Sequence, residues 1–459
     1  MMDQATTTGC PRCVILERRI AELEARLARL EKNSGNSSKP PSSDIVKPAV
    51  VGKKRRSRRK RGAQPGHPKH ERTAFSPDEI DRTKDYQFER CPDCDGPLEV
   101  LDQPARVLHQ IEIVAGPTQV TEHRSRTCRC QKEFVQPIPR PVRKAGLVGP
   151  RLTALVGYLK GACHCSFSTI RKFLQDVVGV SVSRGQLRKV CGKVARSLDQ
   201  PYQDLLAALP QQERLNVDET GHKEYQQALW TWCFRAPLFT LFKIDPSRGS
   251  DVLLNVLGRE FGGVLGCDYF SAYRKYLRLN ENVLVQFCLA HLIRDVRFLV
   301  EHPNAKNRAY GKRVLAALRN LFGLIHHRGG VSEAKFRGAL EDQGYEVWTQ
   351  ATHRVPQMAE AQNLAERFHQ HGREYLRFIT TPGVEPTNNL AEQAIRFVVI
   401  DRRITQGSRS LAGREWLERI WTAIATCTQH GQSVFNYLNR TVRAFFADQP
   451  APTLLFGTS

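Results

Sequence analysis

The sequence predicts a multidomain α+β protein, and three observations carry the prediction. The chain has 459 residues, enough for two or three domains and a sizeable core. From Pro150 the apolar residues recur at helical spacing. After residue 213 the pattern becomes strand, hairpin, helix, strand, helix, strand, which describes a mixed sheet with helices packed on it.

Charge narrows the function classes. Lys and Arg number 69 against 46 Asp and Glu, and a formal charge of +23 attracts a polyanion, with nucleic acid the leading partner. A membrane is not an expected partner, because no apolar run approaches the ~18 to 20 residues that span a bilayer. The N-terminus is polar and carries no secretory signal. Thirteen cysteines, several in close pairs, read as thiols of a reducing compartment, so the expected location is the cytoplasm.

Leu16, Ile20, Leu23, Leu27 and Leu30 alternate steps of four and three, an a/d heptad seam within a leucine-rich helix over 1–32. The seam suits self-association and packing onto another domain equally well. It ends in "NSGNSSKPPSSD", where Ser, Asn, Gly and Pro leave little to bury, and a disordered linker over 33–85 follows. That linker contains Lys53, Lys54, Arg55, Arg56, Arg58, Arg59, Lys60 and Arg61, too self-repelling to pack and suited to neutralising phosphates.

A cysteine-rich module is expected over 86–145. Cys91 and Cys94 pair with Cys128 and Cys130 as CxxC and CxC, and four thiolates can close a tetrahedral structural Zn²⁺ site; unliganded cysteines are the plainer alternative. A helical region follows over 146–210. One helix there stops near Gly179, and Ser183 with Gln186 makes a capping box for the next. The second helix carries Arg184, Arg188, Lys189 and Lys193, placed to enter a DNA groove or grip its backbone.

In the mixed sheet, Asp218 stands at the end of the strand "ERLNVDET" and Asp268 at the end of "GGVLGCD". Functional residues gather at the carboxyl ends of such strands. If the strands are neighbours, the two carboxylates repel unless a divalent cation sits between them, and hard oxygen ligands favour Mg²⁺ or Mn²⁺. Two such ions ~3.5 to 4 Å apart suit phosphodiester chemistry. Glu219, next in the chain, is expected to point to the other side. A third carboxylate is available at Glu392, in "EPTNNLAEQAIR". It either completes a capping box with Asn389 or, if Thr387 is the N-cap, is free to reach a metal.

The ordered set "NVDETGHK", "GCDYFSAYRKY", "CLAHLIRD" and "EPTNNLAEQAIR", after a leucine-rich start, "SSKPPSSD", a basic run and paired cysteines, resembles the transposases of the bacterial insertion sequence sixty-six (TnpC) family along nearly the whole chain. The resemblance implies a ribonuclease-H-like catalytic core of the DDE class. Asp218, Asp268 and Glu392 would be the three acids, holding two Mg²⁺ or Mn²⁺ ions. Its first part would span 211–288, a helical insertion 289–380, and the end of the core with C-terminal helices 381–459. Cys288 and His291 match the family's C-x-x-H motif, a metal site or a packing feature. Asn388, Asn389 and Arg396 form a polar entry to the last catalytic helix and are candidate DNA contacts. The implied partners are double-stranded transposon ends and target DNA, further copies of the chain, and accessory proteins of the same element, in a bacterial, nucleoid-associated setting. Two other readings stay open: a non-catalytic DNA-binding regulator and a structure-specific metal-dependent nuclease.

Overall fold

The computed structural model describes residues 11–33, 137–327 and 332–456, together with short stretches and single residues between 36 and 135. The chain divides into two units, one made of Met1–Ala49 with Glu122–Ser459 and the other of Val50–Thr121. The basic run 53–61 and Cys91, Cys94 and Cys130 fall outside the described residues.

Helix α1 (Pro11–Leu30) contains the heptad seam, and all five seam residues are at least half exposed. It touches the rest of its unit near its end, where Arg29 pairs with Glu360 at 2.8 Å and Lys32 lies over the Phe298 ring. A small antiparallel pair, β1 (Thr127–Arg129) and β2 (Glu133–Val135), includes the backbone of Cys128.

A helical layer follows: α2 (Arg140–Ala145), α3 (Pro150–Gly161), α4 (Phe167–Asp176), α5 (Arg184–Ser197) and α6 (Asp199–Ala208). Ser183 caps α5 by accepting from the Gln186 N–H. Leu187, Val190, Cys191 and Val194 bury one side of α5, while Arg184, Arg188 and Lys189 are exposed on the other. Lys193 departs from the expected basic face, because its Nζ donates inward to the Ala145 carbonyl at 2.7 Å.

The sheet is built from β3 (Arg214–Glu224), β4 (Gln227–Arg235), β5 (Thr240–Asp245), β6 (Val264–Cys267) and β7 (Leu284–Phe287), with α7 (Ser250–Leu257) and α8 (Ser271–Leu279) between the later strands. Its order is β5-β4-β3-β6-β7, antiparallel from β3 to β5 and parallel from β3 to β7. This is the mixed α+β architecture the sequence predicts. Helices α9 (Leu289–Glu301), α10 (Ala305–His326), α11 (Glu333–Thr352), α12 (Ala359–Tyr375) and α13 (Arg377–Thr380) intervene before α14 (Asn389–Thr405), α15 (Leu411–Gln429) and α16 (Val434–Phe446).

The edge strand β5 is sealed by α15. Its Thr240, Phe242 and Ile244 N–H groups donate to Thr426 Oγ1, Thr422 Oγ1 and Glu418 Oε1, at 3.2, 3.0 and 2.6 Å. The match is geometric, since four residues of helix rise ~6 Å and two residues of strand ~6.6 Å. A row of donors that would otherwise template pairing with another chain is thereby used up. The core beneath is aromatic, with Trp232, Trp421, Phe234 and Phe242 fully buried.

Candidate active site

Strand β3 forms because Leu215 and Val217 alternate with polar residues, burying one side of the chain. It runs on to Glu224, paired with β4 from Asn216 opposite Arg235 to Glu224 opposite Gln227. Asp218 therefore lies within the strand and not at its end, where the sequence placed it. The hairpin prolongs β3 beyond its parallel partner, and the parallel stretch does end near Asp218.

The register of that parallel stretch fixes the site. Arg214 pairs with Val264, Leu215 with Leu265 and Asn216 with Gly266. Continued two residues, the same offset sets Asp218 level with Asp268. On the other side of β6, Cys267 pairs with Phe287, so Cys288 continues the row. Two carboxylates and a thiol thus stand side by side where three parallel strands finish.

Helix α14 brings Glu392, and it is clamped at both ends. At its start, the buried Asn388 donates from Nδ2 to the Val217 carbonyl at 2.8 Å, accepts from Asn216 Nδ2 at 3.0 Å, and donates its N–H to Cys288 Sγ at 3.2 Å. Gly266 makes room for this, since a Cβ there would lie 2.6 Å from Asn216 Nδ2. Further along, the buried Asp401 accepts from Trp421 Nε1 at 3.1 Å and pairs with His164 Nδ1 at 2.9 Å.

Two sequence readings of this helix are corrected. Asn388 is interior, with its side chain spent on β3, so it is a clasp and not a DNA contact. No capping box forms: the helix begins after Asn388 with no side-chain cap, and the Glu392 N–H bonds to the Asn388 carbonyl. Leu390 is 41% exposed, and Ala391 takes the inward position. Asn389 and Arg396 are exposed.

Glu392 Oε1 lies 3.5 Å from His291 Nδ1 and 3.6 Å from Arg294 Nη2, yet accepts no hydrogen bond among the described residues. One ligand atom each from Cys288, His291 and Glu392 lie within 4.8 Å of one another. Arg294, in the same helix as His291, is a partner the sequence reading missed; its spacing one turn after the C-x-x-H pair was the available signal.

Burial is the main force that raises the Asp218 carboxyl well above the ordinary range, followed by the charges of Glu219, Asp268 and Glu392. Burial and then Glu219 push Asp268 up to about 7. His291 is drawn down to about 4 by burial and then Arg294, which leaves it neutral at neutral pH, the form that ligates metals. Burial raises the Cys288 thiol.

Glu219 itself is buried on β3, as the alternation from Asp218 requires. It is held by Arg248 at 2.8 Å and by the Tyr273 hydroxyl. Arg248 lies between the Trp230 and Phe270 rings, 4.4 and 3.9 Å from their centroids. The guanidinium offsets the charge of Glu219, the acid whose charge acts most on both Asp218 and Asp268.

Other proposed sites are placed as follows. Arg184, Arg188 and Lys189 line the exposed face of α5. Of Cys128 only the backbone is described. No described helix is long and apolar enough to cross a membrane.

The chain is similar to known proteins over much of its length. A second profile, of a family of unknown function (DUF6444), matches residues 12–73. The chain is 25% identical over 347 residues to an uncharacterized protein, y4qI, of Sinorhizobium fredii, a match covering 68% of this chain. It spans 62% of that relative's length. The profile of the Transposase IS66 family matches residues 145–415, from α2 through the sheet, the intervening helices and α14 into α15. With more than half of its length so matched, the protein belongs to the Transposase IS66 family.

Proposed function

We propose that this protein is a DDE-type transposase with a ribonuclease-H-like core, binding the ends of an insertion sequence and catalysing metal-dependent strand cleavage and strand transfer. One observation carries the reading: Asp218 and Asp268 are level on adjacent parallel strands, and the charge of Glu392, brought by a distant helix, reaches Asp218. Family membership supplies the reaction class.

The donor types suit a divalent cation, and among the described residues the group whose ligand atoms lie within 4.8 Å of one another is Cys288, His291 and Glu392, with Asp218 and Asp268 outside it. Carboxylates on neighbouring strands raise each other's proton affinity, and the lone pairs of Glu392 Oε1 are unspent. Asp218, Asp268 and Glu392 would hold Mg²⁺ or Mn²⁺, which supplies nucleophile activation and leaving-group stabilisation for phosphodiester cleavage and joining. The chain's own contributions are positional. Asn388 and Asp401 fix the helix that bears Glu392; Arg248 neutralises Glu219; the Arg294 guanidinium, 3.6 Å from Glu392 Oε1, offsets the charge of that carboxylate. Arg184, Arg188 and Lys189 of α5, with the basic run 53–61, would neutralise DNA phosphates.

Residues 211–288 and 381–459 are assigned to the catalytic core and 289–380 to a helical insertion within it. A zinc module at Cys91, Cys94, Cys128 and Cys130, and self-association through the exposed α1 seam, complete the proposal. Replacing Asp268 by Asn should abolish cleavage and joining of duplexes bearing the element's ends, with end binding preserved. Full joining by that variant would overturn the assignment, and cut ends without joined product from the unaltered chain would mark a nuclease instead.

A further inference from the structure

A cavity of about 850 Å³ opens between α11, α12 and α13. Its wall carries an unusual exposed surface. Tyr345 is 68% exposed and stacks on Trp348 with ring centroids 6.1 Å apart and planes 23° from parallel. His353 and His369 pack edge-on against the indole, at 5.7 and 6.1 Å. The indole packs closely on α12 at Gly372, where an added Cβ would lie 3.0 Å from Trp348 Cδ1. Helix α12 is kinked at the neighbouring residue, His371, with φ −137° and ψ 23°.

Beside these rings stand Arg373 and Arg377. Neither forms an ion pair with a described residue, and the buried Nε of Arg377 has no hydrogen-bond partner there. Glu374 also lines the wall, with one oxygen 3.8 Å from His371 Nδ1. A flat aromatic platform next to unpaired guanidinium groups matches a flat base joined to a phosphate.

We propose that this cavity receives an unpaired nucleotide of a DNA strand, its base against Tyr345 and Trp348 and its phosphate against Arg373 and Arg377. The proposal rests on the reading that the protein acts on DNA, and adds a site for a base out of its duplex. The His371 ring packs on Tyr269 and Phe287 at 5.6 and 5.5 Å, and Tyr269 follows Asp268 in the chain. His371 sits in the chain between the cavity-lining Gln370 and Gly372, so the kinked helix α12 touches both the cavity and the Tyr269 segment.

The test uses the full chain with a duplex carrying a short single-stranded tail that contains 2-aminopurine, and the same duplex without the tail. The unaltered chain should quench the tail's fluorescence. Tyr345→Ala should lose the quenching and weaken tailed-duplex binding roughly tenfold, the scale of one base–aromatic stack, with blunt-duplex affinity unchanged. Arg377→Gln should weaken tailed-duplex binding as well, and circular dichroism should show both variants folded. Quenching that persists in Tyr345→Ala, or blunt binding with no quenching by the unaltered chain, overturns this inference alone. Failure to bind either duplex overturns the DNA reading with it. A change in oligomeric state in Tyr345→Ala, with quenching intact, would mark the cavity as a protein contact and also overturn the inference.

Discussion

Asn388 Nδ2 donates to the Val217 carbonyl at 2.8 Å, so the residue just before α14 is bonded to the residue that precedes Asp218. The site's helix and its first strand are joined by one side chain. Asn388→Ala would leave the Val217 carbonyl and Asn216 Nδ2 unpaired in the interior, costing about 1–3 kcal/mol in urea unfolding. The exposed neighbour offers the control: Asn389→Ala should stay within about 0.5 kcal/mol. Equal effects at the two positions would remove the clasp from the account.

Repulsion among the acids predicts how the fold responds to cations. Mg²⁺ or Mn²⁺ should raise the melting temperature of the unaltered chain, because bound cation relieves the crowding around Asp218 and Asp268. In Asp268→Asn the rise should shrink or vanish, and in chelator at neutral pH that variant should melt higher than the parent. Identical cation shifts in both proteins would place the ion elsewhere.

His222 predicts a pH dependence of stability. It is buried, with Nε2 3.0 Å from Ser408 Oγ, and it is drawn down to about 4 by burial and then Arg402, with Glu224 opposing and Arg414 adding. The unfolded chain binds the proton at an ordinary histidine pKa of about 6.5. Between about 6.5 and about 4 the unfolded state therefore holds more protons, and stability is lost as pH falls through that window. His222→Gln should narrow the difference in urea midpoint between pH 7.5 and pH 5. An unchanged difference would show that other groups carry it.

The exposed face of α5 predicts a salt effect. If Arg184, Arg188 and Lys189 each neutralise a phosphate, changing all three to Gln should reduce the slope of log affinity against log salt by up to about 2.7. Lys193→Gln serves as contrast, since its ammonium is bonded to the Ala145 carbonyl and should affect melting more than DNA affinity.

Much of the sheet was legible because its strands are short apolar runs closed by turn residues, and each change of period is abrupt. The nearness of Asp218 and Asp268 was within reach only as a condition: each follows a buried residue, Val217 or Cys267, and the two strands had to be neighbours. What the sequence could not disclose was the extent of β3. "TGHKE" has no apolar alternation, and it becomes strand because β4 pairs with it and Ser408 closes the hairpin through His222 and Glu224. Asn388 misled for a related reason. An asparagine beside a helix start reads as a cap or a surface contact, and its burial depends on Asn216 and Gly266, more than a hundred residues away. Glu219 was expected on the opposite side of β3, but its compensation by Arg248 and Tyr273 depends on tertiary packing.

The helix that bears Glu392 follows the last strand of the sheet by a hundred residues and docks backward onto the first. A ribosome that has delivered every strand has still made only two of the three carboxylates. A growing chain thus carries its basic segments long before all three carboxylates exist, and the arrangement of Asp218, Asp268 and Glu392 cannot assemble until synthesis is nearly done.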